Sequence, residues 1–419
     1  MIWALSLYAL FLLTCVWSTS SRCGTVANPV SFFVALFGLQ TLVAPAVLSL
    51  LGLLNSHSYQ ESDVNKAVGL SALYVGSISA AFLFRPSPFV GILRALLPRK
   101  AFRITAVATL VSYVQVIVMF AVLMYASSAG TLWFTNPRLA YQTYRDGAGV
   151  WWSLCQASLI VAFGCALYKK RLALGSVLLI LTPFAAVAYF LGSKGLVLSY
   201  LVLGVFYADN VGCRIGKRAL SAFAIAAVLG ILSLQIIQGT ATTVSASVEY
   251  FDYFTNTTMF LSDFGRLFEH THGRTLLSEM WFYVPRALYR AKPYAYGGMQ
   301  IMAAYYPGAA ELGSTPGILP WAASYLDFGA VGVAMDGLVT GLVARGAFDL
   351  FRKCANVWSF LLFAQVGLMA APLAFCNAPF PIFTVWLGAQ WAMFRIAAAL
   401  ESSVLVLPPQ PRLVPLNPD

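Results

Sequence analysis

The sequence predicts an all-α fold, a polytopic integral membrane bundle of about eleven transmembrane helices. Of the 419 residues, 60% are hydrophobic and only 10% are charged, and the mean hydropathy is +0.77. A soluble domain usually carries about 25% charged residues, so the composition excludes a soluble enzyme and a disordered chain. An outer-membrane barrel would alternate apolar and polar residues along its strands. A helical bundle remains, because each helix satisfies its own backbone polar groups inside a bilayer.

Eleven apolar runs approach the length of about 20 residues that a membrane crossing needs. The predicted spans lie near Ile2–Ser18, Val30–Leu54, Ala67–Phe84, Ile104–Tyr125, Gly149–Tyr168, Leu172–Leu191, Gly195–Ala208, Leu220–Ile237, Ile318–Val343, Val357–Phe375 and Phe380–Leu400. The seventh span is short and is expected to start inside the bilayer. The first run follows an N-terminus without a positive n-region, so it is predicted to be a retained helix and not a signal peptide.

Basic residues predict the orientation of the bundle. Four linkers between spans are basic, namely Arg85–Arg103, Lys169–Arg171, Arg214–Arg218 and Arg345–Lys353. With eleven spans all four fall on one side, which is the cytoplasm because cytoplasmic loops collect Lys and Arg. The N-terminus is then periplasmic and the C-terminus cytoplasmic. Topology therefore accounts for most of the net charge of +11, and nucleic acid is not an expected partner.

The chain is interpreted as a single integral membrane domain, residues 1–419, with one large periplasmic loop. That loop covers residues 239–317, between the eighth and ninth spans, and is expected to contain interfacial helices and the active site. Seven cysteines occur, an odd number without any CxxC motif. This pattern predicts neither a disulfide framework nor a thiolate zinc site.

Four cations are candidates for binding a diphosphate. Lys194 lies between Gly192 and Gly195, where an anion would meet backbone N–H groups at the start of the seventh helix. Arg286 and Arg290 are spaced i, i+4, and Lys292 follows them. Guanidinium forks match phosphate oxygens, so this edge of the loop suits a diphosphate. The alternatives are a snorkelling lysine and an interfacial edge that faces lipid headgroups.

Two histidines, His270 and His272, are candidates for a general base or for contacts to a sugar. Asp263, Glu269 and Glu279 are rival bases in the same loop. A metal site is disfavoured, since further ligands do not appear at suitable spacing, and no cofactor is expected. The remaining alternative is a solvent-facing histidine pair without a chemical role.

Two acids fall within the ninth span and support a different class of function. Asp327 is expected near its outer end, and Asp336 near its middle, facing the bundle interior. Either acid could belong to a proton pathway of a transporter. The sequence shows no internal repeat, however, and many carriers have one.

Three segments resemble the Wzy-type polymerases of O-antigen and capsular polysaccharides. The first segment is Gly192-Ser193-Lys194-Gly195 before an apolar helix, and the second is Val284-Pro285-Arg286 with Lys292-Pro293 and Gly297. The third comprises Gly313–Pro316, Tyr325 and Phe328–Gly332. The second segment also fits an R-x10-G spacing, and the third is similar to a segment that re-enters the membrane. Lys194 departs from the arginine that is usual at its position.

The resemblance implies glycosyl transfer on the periplasmic face of a bacterial inner membrane. The substrates would be glycans linked to undecaprenyl diphosphate, and the enzyme would work without a metal, because Arg and Lys would take the metal's place. A chain-length regulator and a flippase are implied as partners, beside the lipid bilayer itself. O-antigen ligases share the same architecture, so the ligase and a lipid-linked oligosaccharide flippase stay open as alternatives.

Overall fold

The computed structural model describes residues 2–50, 60–83, 89–95, 106–143, 148–168, 174–192, 194–212, 251–284, 289–308, 317–354 and 357–367, with scattered positions between 215 and 249 and between 388 and 400. In these ranges the regular structure is helical, and the sole bridge joins Phe264 to Phe268. The predicted all-α fold is therefore confirmed.

The described ranges contain fifteen α-helices, a 3-10 helix over Glu279–Tyr283 and a π-helical turn over Phe363–Gly367. The α-helices are α1 (Ile2–Cys23), α2 (Pro29–Leu50), α3 (Glu61–Ala81), α4 (Phe89–Ala95), α5 (Ala106–Ala126), α6 (Leu132–Thr135), α7 (Pro137–Thr143), α8 (Gly149–Leu167), α9 (Leu174–Phe190), α10 (Lys194–Asn210), α11 (Tyr253–Ser262), α12 (Arg274–Ser278), α13 (Met299–Tyr305), α14 (Ala322–Cys354) and α15 (Val357–Leu362). Helix α2 contains a π-helical turn over Leu39–Val43.

Five of these helices, α1, α2, α5, α8 and α14, are long and apolar enough to cross a membrane. Helices α9 and α10 are apolar but shorter. The chain is thus a multi-pass membrane protein. The predicted spans Leu220–Ile237 and Phe380–Leu400 fall mainly outside the described residues, so the number of eleven spans stays a prediction. The compartments assigned to the two termini stay predictions for the same reason.

Helices α3 and α14 pack with their backbones in close approach. A Cβ atom on Gly337 would lie 2.6 Å from the carbonyl oxygen of Tyr74, and one on Gly341 would lie 2.5 Å from that of Ile78. Both positions therefore require glycine. Small residues four apart allow the two backbones to approach closely. The van der Waals contacts that result stabilise the helix pair in lipid, where no hydrophobic driving force acts between helices.

Most of α14 runs parallel to α3. The Tyr74 hydroxyl lies 3.2 Å from Thr340 Oγ1, and further along both helices Arg345 donates to the Ala81 carbonyl at 2.9 Å. Residue numbers thus increase together along the pair. The first residues of α14 run the other way, since Trp321 bonds to Ser71 Oγ at 3.1 Å whereas the Tyr325 ring lies 5.0 Å from the Lys66 ammonium.

Helix α14 is broken near its start. Phe328 (φ −137°, ψ 15°) and Gly329 (φ 62°, ψ −150°) leave the helical region, although hydropathy predicted one continuous span. Ser324 Oγ donates to Asp336 Oδ2 at 2.7 Å, whereas twelve residues of straight helix would separate these positions by about 18 Å. The segment before the break therefore folds back along the segment after it.

The other half of the bundle is held together by an aromatic cluster. The Phe163 ring of α8 lies 5.2 Å from Phe184 of α9, 5.2 Å from Tyr200 of α10 and 6.0 Å from Phe360 of α15. Edge-to-face and tilted pairs of this kind add to the energy of apolar burial. These helices form a packed support for the broken helix.

Candidate functional site

A cavity of about 510 Å³ lies at the break in α14, a size typical of ligand sites. Its lining residues are His270, His272, Leu276, Ser324, Asp327, Phe328, Val331, Gly332 and Met335. Both histidines of the loop therefore face the same space as the broken membrane helix. The lining combines imidazole, hydroxyl and carboxylate groups with large apolar side chains.

The loop backbone pairs with the carbonyl end of the short segment that precedes the break. The N–H of Thr271 donates to the Leu326 carbonyl at 3.0 Å, and the N–H of His272 donates to the Asp327 carbonyl at 3.2 Å. These bonds satisfy carbonyl groups that a helix end leaves without internal partners. The turn that carries both histidines is thereby fixed to the break.

The side chain of Asp327 also bonds to the loop. Its Oδ1 accepts from the N–H of Thr275 at 3.1 Å and from the Thr271 hydroxyl, and its Oδ2 accepts from the N–H of Leu276 at 2.9 Å. A carboxylate at the first N–H groups of a helix is favoured by the helix dipole. Asp327 thus ties the start of α12 to the membrane helix.

His272 has an unusual backbone, with φ at +50°. Among the described residues it is the one non-glycine residue with positive φ. Such a conformation is uncommon and is retained where the surroundings fix it. Here it turns the chain so that the His270 and His272 rings lie 6.4 Å apart and both border the cavity.

His270 has a defined set of neighbours. Its Nδ1 lies 3.3 Å from the Leu326 carbonyl, which can only accept, so Nδ1 carries the hydrogen and Nε2 is the basic nitrogen. The Phe264 and Tyr325 rings lie 4.7 Å and 5.9 Å from the His270 ring. A Cβ on Gly329 would lie 3.5 Å from Nε2. The basic nitrogen therefore faces the break in α14.

Two of the three rival bases, Asp263 and Glu269, occupy other surroundings. Asp263 forms an ion pair with Arg266 and accepts a hydrogen bond from the Tyr305 hydroxyl at 3.0 Å. Burial, with the neighbouring Asp263 carboxylate, raises the pKa of Tyr305. Glu269 is exposed beside His270. Neither acid is among the residues that line the cavity.

Glu279 is the strongly perturbed acid of the loop. Its side chain is buried, and Oε1 has no hydrogen-bond partner among the described residues. Burial raises the pKa of Glu279 to about 8, although a hydrogen bond from the N–H of Gly298 acts to lower that pKa. A Cβ on Gly297 would lie 1.4 Å from Oε1. The carboxyl group therefore depends on a glycine at position 297.

Of the four predicted diphosphate ligands, the structure describes the side chains of Arg290 and Lys292. Lys194 is the first residue of α10. Arg290 is exposed, and the Lys292 ammonium lies 5.2 Å from the Tyr296 ring centre. Arg286 lies outside the described residues. Their joint role in binding an anion stays a prediction.

Gly192, before Lys194, has a structural role. A Cβ there would lie 2.3 Å from the Pro137 carbonyl oxygen of α7, and φ is +71°. The Gly192 N–H donates to the Tyr189 carbonyl at 2.9 Å. This glycine is required for packing against α7, and its N–H is already bonded.

Lys66 and Asp327 lie near the cavity and contact the loop, and neither contact was predicted from the sequence. Lys66 lies outside the predicted third span but inside α3, which starts at Glu61. Its ammonium lies over the Tyr325 and Phe264 rings. Asp327 was assigned to the membrane, and its bonds to α12 join residues more than 50 positions apart. The polar first turns of α3 were the signal that could have extended that helix.

The described residues contain no group of three or more His, Cys, Asp or Glu side chains arranged to hold a metal ion.

Comparison with known proteins finds relatives of one kind. The chain is 23% identical over 250 residues to a protein named O-antigen polymerase from Salmonella typhimurium strain LT2, and equally to one from Salmonella typhi. The match covers 57% of this chain and 60% of each relative, so it spans little more than half of these curated proteins. No family model matches the chain, and no solved structure matches it.

Proposed function

We propose that this protein is a polysaccharide polymerase that joins lipid-linked oligosaccharide repeat units by glycosyl transfer. One observation carries the proposal: two histidines border a cavity at the break of a membrane-crossing helix. Groups that can accept a proton thereby lie where a membrane-anchored substrate can reach them. The relatives named O-antigen polymerase support the same reaction.

The proposed donor is a glycan on undecaprenyl diphosphate, and the acceptor is a repeat unit on the same carrier. An acceptor hydroxyl oxygen attacks the anomeric carbon of the donor and forms the new C–O bond. The old bond between the anomeric carbon and the diphosphate oxygen breaks, and the diphosphate leaves with the electron pair. The hydroxyl proton passes to a base on the protein, so the transfer is balanced without an added reactant.

His270 is the first candidate for that base. Its Nδ1 is engaged by a carbonyl oxygen, and its Nε2 therefore has a free lone pair beside the cavity. General base catalysis contributes typically about 100- to 10,000-fold to the rate. His272 is the second candidate, and Asp263 and Glu269 remain rivals that substitution can separate from the histidines.

The leaving diphosphate needs cations, because its charge grows as the bond breaks. We assign this role to Arg286, Arg290, Lys292 and Lys194. Arg290 is exposed beside the stacked pair of Trp281 and Tyr289, and its guanidinium is thus accessible to a substrate. A periplasmic location on the inner membrane follows from the proposed substrates.

The lining of the cavity suits an amphiphilic substrate. Phe328, Val331 and Met335 are exposed apolar side chains on one flank, while His270, His272 and Ser324 provide polar groups. Apolar walls with a few placed polar groups are typical of ligand sites. A glycan bound to a polyprenyl carrier presents both kinds of surface.

The test is the surface-glycan banding of a strain that lacks the gene. A polymerase predicts loss of the ladder with a single repeat unit retained, and restoration by the wild-type chain. Complete loss of glycan from lipid A core would instead indicate a ligase or a flippase and would reject the proposal.

Variants in the same strain identify the base. His270→Ala combined with His272→Ala should abolish the ladder, while Asp263→Asn and Glu269→Gln should retain it, at equal membrane levels of each protein. A normal ladder from the double histidine variant would reject both histidines as the base.

A further inference from the structure

Lys66 is a cation held against two aromatic rings that also neighbour His270. Its ammonium lies 5.0 Å from the Tyr325 ring centre and 5.7 Å from that of Phe264. The Lys66 side chain is exposed. Within the described part of the chain no carboxylate forms an ion pair with it, although Asp63 lies three residues earlier on the same helix. The ammonium therefore keeps its capacity for an anion.

The same aromatic pair connects Lys66 to His270. The Phe264 and Tyr325 rings lie 5.1 Å apart, edge to face, and the Phe264 ring lies 4.7 Å from that of His270. The two distances through Phe264 limit the separation between the ammonium and the His270 ring centre to about 10.4 Å. A cation and a candidate base thus border one region.

The position of Lys66 is fixed by helix packing. Helix α3 carries Lys66 and packs with its backbone against α14 at Gly337 and Gly341. In the middle of α3, Ser71 accepts a hydrogen bond at 3.1 Å from Trp321, the residue before α14. Helix packing consequently fixes the backbone of Lys66 close to the break in α14, and its side chain reaches the two rings from there.

The Lys66 ammonium contacts the Phe264 and Tyr325 rings on one side. Its N–H groups on the opposite side can donate hydrogen bonds to an anion. A cation over an aromatic face gains about 0.5–1 kcal/mol at an exposed site, which orients the side chain but does not neutralise it. Lysine is a compact point charge with three donors. A phosphate oxygen is the acceptor that best matches such a group beside a membrane.

We propose that Lys66 binds the diphosphate of the lipid-linked substrate beside His270. This inference rests on the proposed function and adds a binding residue from α3 to the cations of the loop. The diphosphate would lie between the Lys66 ammonium and the cavity, with the sugar directed toward the histidines. A phospholipid headgroup offers the same phosphate chemistry, and the experiment must separate the two sources.

The experiment measures binding by the full-length protein in nanodiscs of phosphatidylcholine. The probe is undecaprenyl diphosphate, and the readout is its apparent Kd for the wild-type chain and for Lys66→Gln, Lys66→Arg and Lys353→Gln. Lys353 is the matched control, because it is an exposed lysine in the last turn of α14. A second series replaces the probe with phosphatidylglycerol.

We expect Lys66→Gln to weaken binding of undecaprenyl diphosphate by about 10- to 100-fold, the value of one charge-assisted hydrogen bond. Lys66→Arg should retain most of the affinity, since arginine keeps the charge and stacks on aromatic rings. Lys353→Gln should bind as the wild type does. Unchanged affinity in Lys66→Gln, or a wild-type chain that does not bind the probe, overturns the proposal.

Phosphatidylglycerol binding that equals that of the probe and is lost in Lys66→Gln also overturns it, because Lys66 would then bind headgroups. Glycan banding separates this inference from the proposed function. A ladder that is normal in Lys66→Gln but absent in the double histidine variant rejects the role of Lys66 alone. A ladder pattern that excludes a polymerase rejects the proposed function, while the binding result stands by itself.

Discussion

Asp327 Oδ2 accepts a hydrogen bond from the backbone N–H of Leu276 at 2.9 Å, across 51 residues of sequence. With the bond from Thr275, this contact makes one membrane carboxylate the cap of a loop helix. The loop returns the contact through the N–H groups of Thr271 and His272. The histidine turn and the broken helix therefore depend on each other for their geometry.

Replacing Asp327 by Asn should loosen the histidine turn. The amide NH2 would face an N–H donor, and the loss of charge-assisted bonds should cost about 2–4 kcal/mol. Limited proteolysis of the purified protein should detect faster cleavage between residues 263 and 283. Asp349→Asn, the same change in a partly exposed acid of α14, is the control, and equal cleavage rates in both variants would contradict the prediction.

Gly329→Ala should disturb the break in α14. The Gly329 backbone (φ 62°, ψ −150°) is in a region that is essentially restricted to glycine, so alanine should cost about 1–3 kcal/mol. Its Cβ would also lie 3.3 Å from His270 Cε1. Thermal unfolding in detergent should show a lower midpoint, and the glycan ladder should shorten.

Gly69→Ala provides the comparison for that variant. Gly69 is an exposed position of α3 with open space where a Cβ would be placed. Alanine there should leave the midpoint unchanged or raise it slightly, because glycine is costly inside a helix. A Gly329→Ala protein as stable as Gly69→Ala would show that the break tolerates a side chain.

Gly341→Ala should weaken the pairing of α3 with α14. The added Cβ would lie 2.5 Å from the Ile78 carbonyl oxygen, so the two backbones must move apart at a cost of about 1–3 kcal/mol. Reduced thermal stability and a lower level of folded protein in the membrane are the expected results. Gly175→Ala in α9, where a Cβ meets open space, should show neither effect.

Glu279 should make loop stability depend on pH. Its pKa is about 8 in the folded chain and is raised from 4.5 by burial, so the folded state binds the proton more tightly than the unfolded state. The resulting stabilisation is complete below about pH 4.5 and is lost as the pH rises toward 8. Since one pKa unit corresponds to about 1.4 kcal/mol, the whole change amounts to several kcal/mol.

Glu279→Gln should remove this dependence, because glutamine resembles the protonated acid. Proteolysis rates of the loop measured from pH 5 to pH 9 should rise for the wild-type chain and stay level for the variant. Glu269→Gln, which changes an exposed acid of the same loop, should follow the wild type. A wild-type profile that is flat over this range would contradict a buried acid at position 279.

Hydropathy predicted the helices of the bundle well where apolar residues fill a whole span. The predicted run Ile104–Tyr125 differs from α5 by only a residue or two at each end. Helix α3 was predicted to begin at Ala67, whereas it begins at Glu61. Its first turns are polar, and a polarity scale cannot distinguish exposed helix from loop, so Lys66 was placed outside it.

The break in α14 could not be predicted from hydropathy, because apolar residues continue through Phe328 and Gly329. Spacing in sequence suggested that His270 and His272 act together, but their contact with α14 depends on backbone pairing between residues 55 positions apart. Such pairing leaves no periodic pattern in the chain. The carboxylate of Asp327 was noted as costly in a membrane, and its partners were visible only in three dimensions.

One face of α14 is packed against α3, and another face is exposed beside the cavity. This difference determines the route by which a substrate reaches the cavity. At Gly337 and Gly341 the helix is sealed against α3, whereas Val331 and Met335 border the cavity and are exposed. For the proposed lipid-linked substrate, entry is then lateral, along the plane of the bilayer. The rate at which protein and substrate meet is then set by the mole fraction of the lipid carrier in the membrane. Adding phospholipid lowers this mole fraction. The reaction should therefore slow, even when the amounts of protein and substrate per volume of solution stay constant.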